Sequence, residues 1–318
     1  MDSLPRVTIV TPSFNQAAFL ERTLRSVLEQ DYANLEYIVI DGGSTDGSLE
    51  IIQRYADRLA FWCSEGDAGQ ADGINKGLRR ASGEFVAWLN SDDCYQPGAI
   101  REAVEALQKD PELGMVYGNV ESVDEHGNAI HVQRFEQYSL VDLMQFSIIG
   151  QPSVFMRRSM LERAGYLDFN YHYLLDHQLW LRLASLAPMQ HVPRIWSKAS
   201  YHQQAKNLAG GAKFGEEALR MVEWMKQDEF LSLIIPGNEA QVLAGAYRIQ
   251  GYYLSVGGEY RDALKAYRKC FNLSPRQAAK DWKRIAFTCG AALGMDWLKP
   301  LYRKMTCNQY SEKDKDHS

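Results

Sequence analysis

The chain opens with short apolar runs alternating with segments of helical periodicity. Arg6–Thr11 (R-V-T-I-V-T) is β-branched and apolar, meets Pro12, and predicts a first strand. After the turn Ser13-Phe-Asn-Gln16, residues Phe19, Leu20, Leu24, Val27 and Leu28 recur at helical spacing within 18–30. The pattern then predicts a strand over 35–40, a helix over 49–55, a short strand over 59–64, a helix over 70–80 and a buried strand over 86–89. Strand and helix alternating in this way predict an α/β fold with a mainly parallel central sheet and helices on both faces. Right-handed crossovers would bring Thr11, Asp41 and Asp92 to one sheet edge.

Beyond Pro97 the pattern gives a helix over 98–109, a strand over 115–119 and a hairpin over 120–134 that turns at Glu125-His-Gly-Asn128. A strand over 151–156, a turn over 165–168 and a helix over 177–185 follow. From Lys213 the periodicity is helical only, over 214–233, 239–256, 260–273 and 277–293. These shifts divide the chain into a catalytic α/β domain (1–212), an α-helical extension (213–310) and a polar tail (311–318). Tyr247, Gly251, Leu254, Ala263, Tyr267, Cys270 and Pro275 resemble one tetratricopeptide unit, with large and small residues where two helices must approach.

Composition narrows the function classes. A chain of 318 residues, 46% hydrophobic and 24% charged, is long enough for one large domain and a smaller appendage. Five widely spaced cysteines without a C-x-x-C pair suggest neither a disulfide framework nor a zinc site. No signal-peptide pattern and no long apolar run are present, so a cytoplasmic protein is expected. The net charge of -5 is uneven: residues 259–318 carry 13 Lys or Arg against 7 Asp or Glu. The acidic remainder argues against a nucleic-acid partner. Trp282–Tyr302 sets apolar residues beside Lys283, Arg284 and Lys299 and, just past its end, Arg303 and Lys304, the pattern of an interfacial helix on the inner face of a membrane or of packing within the extension.

The candidate chemistry gathers at loops that follow predicted strands. Asn90-Ser-Asp-Asp93 sits at the end of a buried strand, where open α/β sheets bind ligands. Two adjacent carboxylates there suit Mg²⁺ or a like cation, which fills its remaining positions with phosphate oxygens and water. Asp41, at the end of the second strand and ahead of Gly42-Gly-Ser-Thr-Asp-Gly-Ser48, can accept hydrogen bonds from a nucleoside base or from ribose. Asp176 stands at a helix start, where the dipole favours its ionised form and hence a role as a base.

Five segments together resemble the inverting nucleotide-diphospho-sugar glycosyltransferases of family 2, with the GT-A fold. They are V-T-I-V-T-P-S-F-N (7–15), D-G-G-S-T-D-G-S (41–48), D-A-G-Q-A-D-G-I-N-K-G (67–77), N-S-D-D (90–93) and L-D-H-Q-L-W-L-R (175–182). The resemblance implies that Thr11 and Pro12 line the nucleoside pocket, Asp41 contacts the base, and Asp72 and Asp92 support the donor. It further implies that Asp93, with His202 from a closing loop, holds Mn²⁺ or Mg²⁺ against the diphosphate. Asp176 becomes the base that deprotonates an acceptor hydroxyl. The donor implied is a nucleoside-diphosphate sugar, with UDP favoured, and the acceptor a glycan or lipid-linked hydroxyl in bacterial surface polysaccharide synthesis. Two positions depart from the family pattern: the usual Asp-Asp pair is Asp41-Gly42, and Leu175 stands before Asp176 in place of Glu.

Two rival readings fit less well. A nucleotidyltransferase would carry a basic, glycine-rich phosphate loop after the first strand, and Thr11-Pro-Ser-Phe-Asn15 has neither feature. An inactive sugar-binding or scaffolding protein would tolerate loss of Asp93 or Asp176, and both are present.

Overall fold

The computed structural model describes residues 4–201 and 211–295. Its first four strands, β1 (Val7–Ser13), β2 (Leu35–Asp41), β3 (Phe61–Ser64) and β4 (Phe85–Trp88), form a parallel array in the order β3-β2-β1-β4. β1 runs through Pro12 instead of stopping there. It pairs with β2 as far as Ser13 but with β4 only as far as Val10, where the Leu89 N–H donates to the Val10 carbonyl (2.9 Å). Pro12 therefore lies where β4 no longer pairs, and its missing N–H costs the sheet nothing.

The crossovers are α1 (Ala17–Leu28), α2 (Ser48–Arg54) and α3 (Gln70–Arg80), and α4 (Ala99–Lys109) follows β4. Alternation along the strands separates the two faces. Ile9, Val39, Phe85 and Ala87 join Leu20, Leu24 and Val27 of α1 and Ile100, Ala103 and Leu107 of α4 in one buried core. On the opposite face α3 lies so close that a Cβ at Gly77 would collide with Val10. Helices thus cover both faces, as expected.

Beyond β4 the sheet becomes mixed. The later strands are β5 (Cys94–Tyr95), β6 (Met115–Asp124), β7 (Ala129–Gln133), β8 (Val154–Arg157) and β9 (Met189–Tyr201). The order continues β4-β8-β6-β9-β5, with β6 and β9 parallel and the other contacts antiparallel. Three features differ from the sequence expectation. The expected strand and hairpin over 115–134 are one long strand, β6, folded onto β7. Residues 151–153 form a short 3₁₀ turn before β8, because Pro152 suits a turn and lacks a ladder donor.

The third difference is β9, which no clean alternation predicts. Its register against β6 jumps from Tyr117–His191 to Asn119–Ile195, so that Val192, Pro193 and Arg194 lie opposite Gly118 alone. Pro193 is tolerated in that bulge, and Gly118 is required beside it: a Cβ there would come within 2.7 Å of the Trp196 ring.

Among the described residues, 4–139 and 149–201 make one compact unit, and 140–148 with 211–295 make a second. The second unit is helical. It holds α5 (Leu140–Met144) and, after α6 (Arg158–Ala164) and α7 (Leu175–Leu186) of the first unit, the helices α8 (Gly211–Gln227), α9 (Leu231–Ile234), α10 (Glu239–Val256), α11 (Tyr260–Leu273), α12 (Pro275–Ala279) and α13 (Trp282–Ala292). α10 and α11 pair as a hairpin in which a Cβ at Gly251 would stand 3.0 Å from the Tyr267 ring. Phe214 stacks on Tyr253 (centroids 3.7 Å apart), which ties α8 to α10. Breaks at 228–230 and 280–281 split two of the expected helices.

Candidate active site

The four parallel strands end level. Ser13 pairs with Asp41 and Asp41 with Ser64, while the Leu89–Val10 hydrogen bond places Asn90–Asp93 at the same edge. The fold thereby gathers the strand-end loops of four motifs, although their side chains do different things.

Asp41 is fully buried. Its carboxylate accepts from the Gly43 N–H (3.2 Å), the Ser44 N–H (2.9 Å), the Ser44 hydroxyl (2.5 Å) and the Ser64 hydroxyl (2.7 Å). It therefore ties the loop after β2 to the end of β3. Thr11 is likewise fully buried, with its hydroxyl 2.9 Å from the Tyr37 hydroxyl. Pro12 faces α3, 3.7 Å from where a Cβ on Gly73 would stand. Asp72 accepts from the Ala68 N–H (3.1 Å) and pairs with Lys76 (3.4 Å), which also reaches Glu65 (3.1 Å). In this motif Gly69 begins the helix at φ +111°, a conformation that favours glycine.

The 90–93 loop is braced from three directions. Gln70 donates to Asn90 Oδ1 (2.9 Å), and Asn90 donates to Gln151 Oε1 (3.1 Å), whose amide in turn donates to the Trp88 carbonyl (2.8 Å). From α1, the Thr23 hydroxyl lies 2.9 Å from the Ser91 carbonyl and 2.7 Å from that of Asp93. From the end of β9, the Ser200 N–H donates to Asp93 Oδ1 (3.1 Å) and its hydroxyl to the Asp92 carbonyl (2.5 Å). Arg22 donates to the Ser200 hydroxyl (2.8 Å).

Asp93 is 6% exposed, while Asp92 beside it is half-buried. Burial, reinforced by the Asp92 carboxylate, holds the Asp93 carboxyl well above its ordinary range. A buried carboxyl so destabilised as an anion, with a second carboxylate adjacent, is a donor set that a hard divalent cation suits, with diphosphate and water completing its shell. Among the described residues no group of three or more His, Cys, Asp or Glu converges. His202, expected as a further ligand, lies outside the described residues.

Asp176 lies in the first turn of α7, half-buried, and its Oδ1 accepts from the His177 N–H (2.7 Å). The rest of its motif is structural. Trp180 stacks on Trp88 of β4, with centroids 5.2 Å apart and planes 24° from parallel. Arg182 donates to the carbonyls of Ala164, Gly165 and Tyr166 and so ties the end of α6 to α7. The loop before α7 is fixed by buried Asn75 of α3, which donates to the Leu167 carbonyl (2.9 Å) and accepts from its N–H (3.0 Å). Tyr171 is buried, while His172 is exposed and Tyr173 half-buried.

Sequence reasoning passed over Arg22, Thr23, Ser200, Gln70 and Gln151. Gln70 and Asn75 stand inside a quoted motif, which was the available signal. Thr23 and Ser200 carried none, because polar residues on a helix and in an unpredicted strand read as surface.

Comparison with known proteins agrees with this geometry. The model of "Glycosyl transferase family 2" matches residues 8–173, more than half of the chain. An uncharacterized glycosyltransferase of Rickettsia conorii is 27% identical over 208 residues, which are 62% of this chain and 34% of that protein. The match thus spans about a third of that relative's length. S. aureus TarS 1-349 in complex with UDP superposes with a TM-score of 0.62 at 16% identity, covering 91% of this chain and 87% of that one. The mannosyltransferase PcManGT from Pyrobaculum calidifontis, in complex with GDP-Man and Mn²⁺, does so at 0.58 and 21%, covering 94% and 89%. At such identities the structures establish the fold, which is GT-A. Strand ends, loops and family model agree, and the chain belongs to glycosyl transferase family 2.

Proposed function

We propose that this chain is a metal-dependent inverting glycosyltransferase that moves a sugar from a nucleoside-diphosphate donor, UDP favoured, to a hydroxyl of a glycan or lipid-linked acceptor. Assembly of bacterial surface polysaccharide is the setting that suits such an acceptor. The observation that carries the reading is the Trp88–Trp180 stack, which packs β4, whose following loop carries Asp92 and Asp93, against α7, whose first turn carries Asp176. The binding of UDP by TarS and of GDP-Man and Mn²⁺ by PcManGT supports the donor class and the cation.

Asp92 and Asp93 would hold Mn²⁺ or Mg²⁺, which when bound neutralises charge growing on the departing diphosphate. Asp176 accepts the proton of the acceptor hydroxyl; it stands in the first turn of α7, where a helix dipole favours an anion, and its Oδ1 accepts from the His177 N–H. The acceptor oxygen forms its bond to the anomeric carbon on the face opposite the nucleotide as the bond to the diphosphate oxygen breaks. One displacement inverts the configuration, and no covalent intermediate with the protein is required.

Peripheral contact with an anionic membrane belongs to the same reading. Phe271, Trp282 and Leu293 are 58%, 59% and 77% exposed, in a stretch that also carries Arg268, Lys269, Arg276, Lys280 and Lys283. Trp297, Leu298, Lys299, Arg303 and Lys304 of the same expected helix lie outside the described residues.

The test is Asp176→Asn assayed for sugar transfer and for nucleotide binding. Loss of transfer by about 10²- to 10⁴-fold, with nucleotide affinity retained, is the expected result. Unimpaired transfer would remove Asp176 from the chemistry.

A further inference from the structure

The carboxylate expected to read the donor base, Asp41, is not available to do so. It is fully buried, and its oxygens take four hydrogen bonds from its own loop and from Ser64. Another carboxylate stands against the glycine that follows it. A Cβ built on Gly42 would lie 2.7 Å from Oδ2 of Asp67, and one built on Gly73 would lie 3.1 Å from the same oxygen and 3.7 Å from Pro12. Asp67 Oδ2 therefore fills the space that a side chain at 42 would use, over a floor of two glycines and Pro12. The three heavy atoms nearest that Cβ all belong to the Asp67 carboxylate, so the glycine at 42 makes room for Asp67.

Asp67 is held yet open. Its Oδ1 accepts from the Gly69 N–H (2.9 Å), which fixes the side chain, while the residue is only half-buried. Neighbouring Glu65 and Asp72 share Lys76, and Asp67 has no ion-pair partner among the described residues. A preset, accessible acceptor at the ends of β1 and β2 matches a ligand that brings an N–H.

We infer that Asp67, in place of Asp41, supplies the carboxylate that selects the donor base, accepting the ring N–H of a uracil or guanine. The inference rests on the nucleoside-diphosphate reading above. A carboxylate accepts and cannot donate. Uracil N3–H and guanine N1–H suit it, whereas cytosine and adenine present an unprotonated ring nitrogen at the equivalent position and are repelled. Selectivity then follows from an unmet or repulsive contact as well as from the attractive one.

Calorimetric titration of the full chain with UDP, GDP, CDP and ADP in Mn²⁺ tests this on the wild type, Asp67→Asn, Asp67→Ala and the double variant Gly42→Asp/Asp67→Ala. The wild type is expected to bind UDP or GDP and to discriminate against CDP and ADP. Asp67→Asn retains an acceptor for Gly69 N–H and also presents a donor. It should bind the preferred nucleotide about 10- to 100-fold more weakly and narrow the gap to CDP or ADP. The double variant, which returns a carboxylate to the vacated space from position 42, should recover selectivity that Asp67→Ala loses.

Unchanged affinity and selectivity in both single variants would overturn the inference while leaving the transferase reading intact. Equal weakening toward all four nucleotides, unrelieved in the double variant, would also overturn it, since that marks a structural role. Absence of binding by the folded wild type would remove the nucleoside-diphosphate reading, and this inference with it.

Discussion

Trp88 and Trp180 stack face to face, with centroids 5.2 Å apart, although they lie on a strand and a helix more than ninety positions apart in sequence. Both are essentially inaccessible to solvent. Five residues beyond Trp88 stands Asp93, and four residues before Trp180 stands Asp176. The stack thus packs the strand that precedes the carboxylate pair against the helix whose first turn carries the expected base.

Truncation of this contact should be costly to both stability and rate. Trp180→Ala is expected to destabilise the first unit by about 3–5 kcal/mol, as for other large aromatic deletions. Trp180→Phe keeps a stacking ring and should cost less. In denaturant titrations the Phe variant should fold, and its transfer rate should fall more than its nucleotide affinity. Equal stability of the wild type and the Ala variant would show that the stack is not the joint described here.

Asn75 should behave as a buried fastener. It closes two hydrogen bonds on Leu167, and Asn75→Ala would leave a buried N–H and carbonyl unmet, at about 1–3 kcal/mol. Asn75→Asp removes the amide donor and should be comparably harmful. Hydrogen exchange at the Leu167 amide reports the change directly, and unaltered protection there would contradict the assignment.

The burial of Asp93 implies a pH signature in chelator. Its folded-state carboxyl lies above the unfolded value of about 4, so the folded state keeps a proton that the unfolded state releases. Stability attributable to this group therefore falls as pH rises from about 4 through its raised range. Asp93→Asn, with no proton to lose, should melt higher than the wild type at neutral pH in chelator, and the difference should shrink toward pH 4. Added Mn²⁺ should stabilise the wild type and not the variant. A melting difference independent of pH would argue against the buried-carboxylate account.

The membrane reading predicts salt-sensitive binding to vesicles that contain an anionic lipid, weaker binding to neutral ones, and loss of binding in Trp282→Glu/Leu293→Glu. Sedimentation with the two vesicle types measures it. Equal recovery in the supernatant with both would refute the reading.

Much of the frame was legible in the residues, for identifiable reasons. β1 to β4 are apolar runs bounded by glycine and polar loops, and helices α1, α3 and α4 each show one apolar stripe, so short-range periodicity sufficed. β9 escaped because its partners fix it from outside: Pro193 and the facing Gly118 create a bulge that breaks the alternation a strand would show. The same limit applied to side chains at the site. Right-handed crossovers predicted that Thr11, Asp41 and Asp92 would share an edge, but no local pattern tells whether a carboxylate at a strand end faces a ligand or its own loop. Ser44 and Ser64 turn Asp41 inward, and only the second of these is distant in sequence. Asp67 faces Gly42 through tertiary approach, which a residue-by-residue reading cannot supply.

The central claim is that the Asp92–Asp93 edge binds a nucleoside diphosphate together with a divalent cation. Calorimetric titration of the purified chain with UDP, GDP and dTDP, with and without Mn²⁺ and repeated on Asp93→Ala, tests it most directly. The account predicts binding of one nucleotide that requires Mn²⁺ and is lost in the variant. Failure of the folded wild type to bind any of the three, or binding that neither Mn²⁺ nor Asp93→Ala alters, would contradict it.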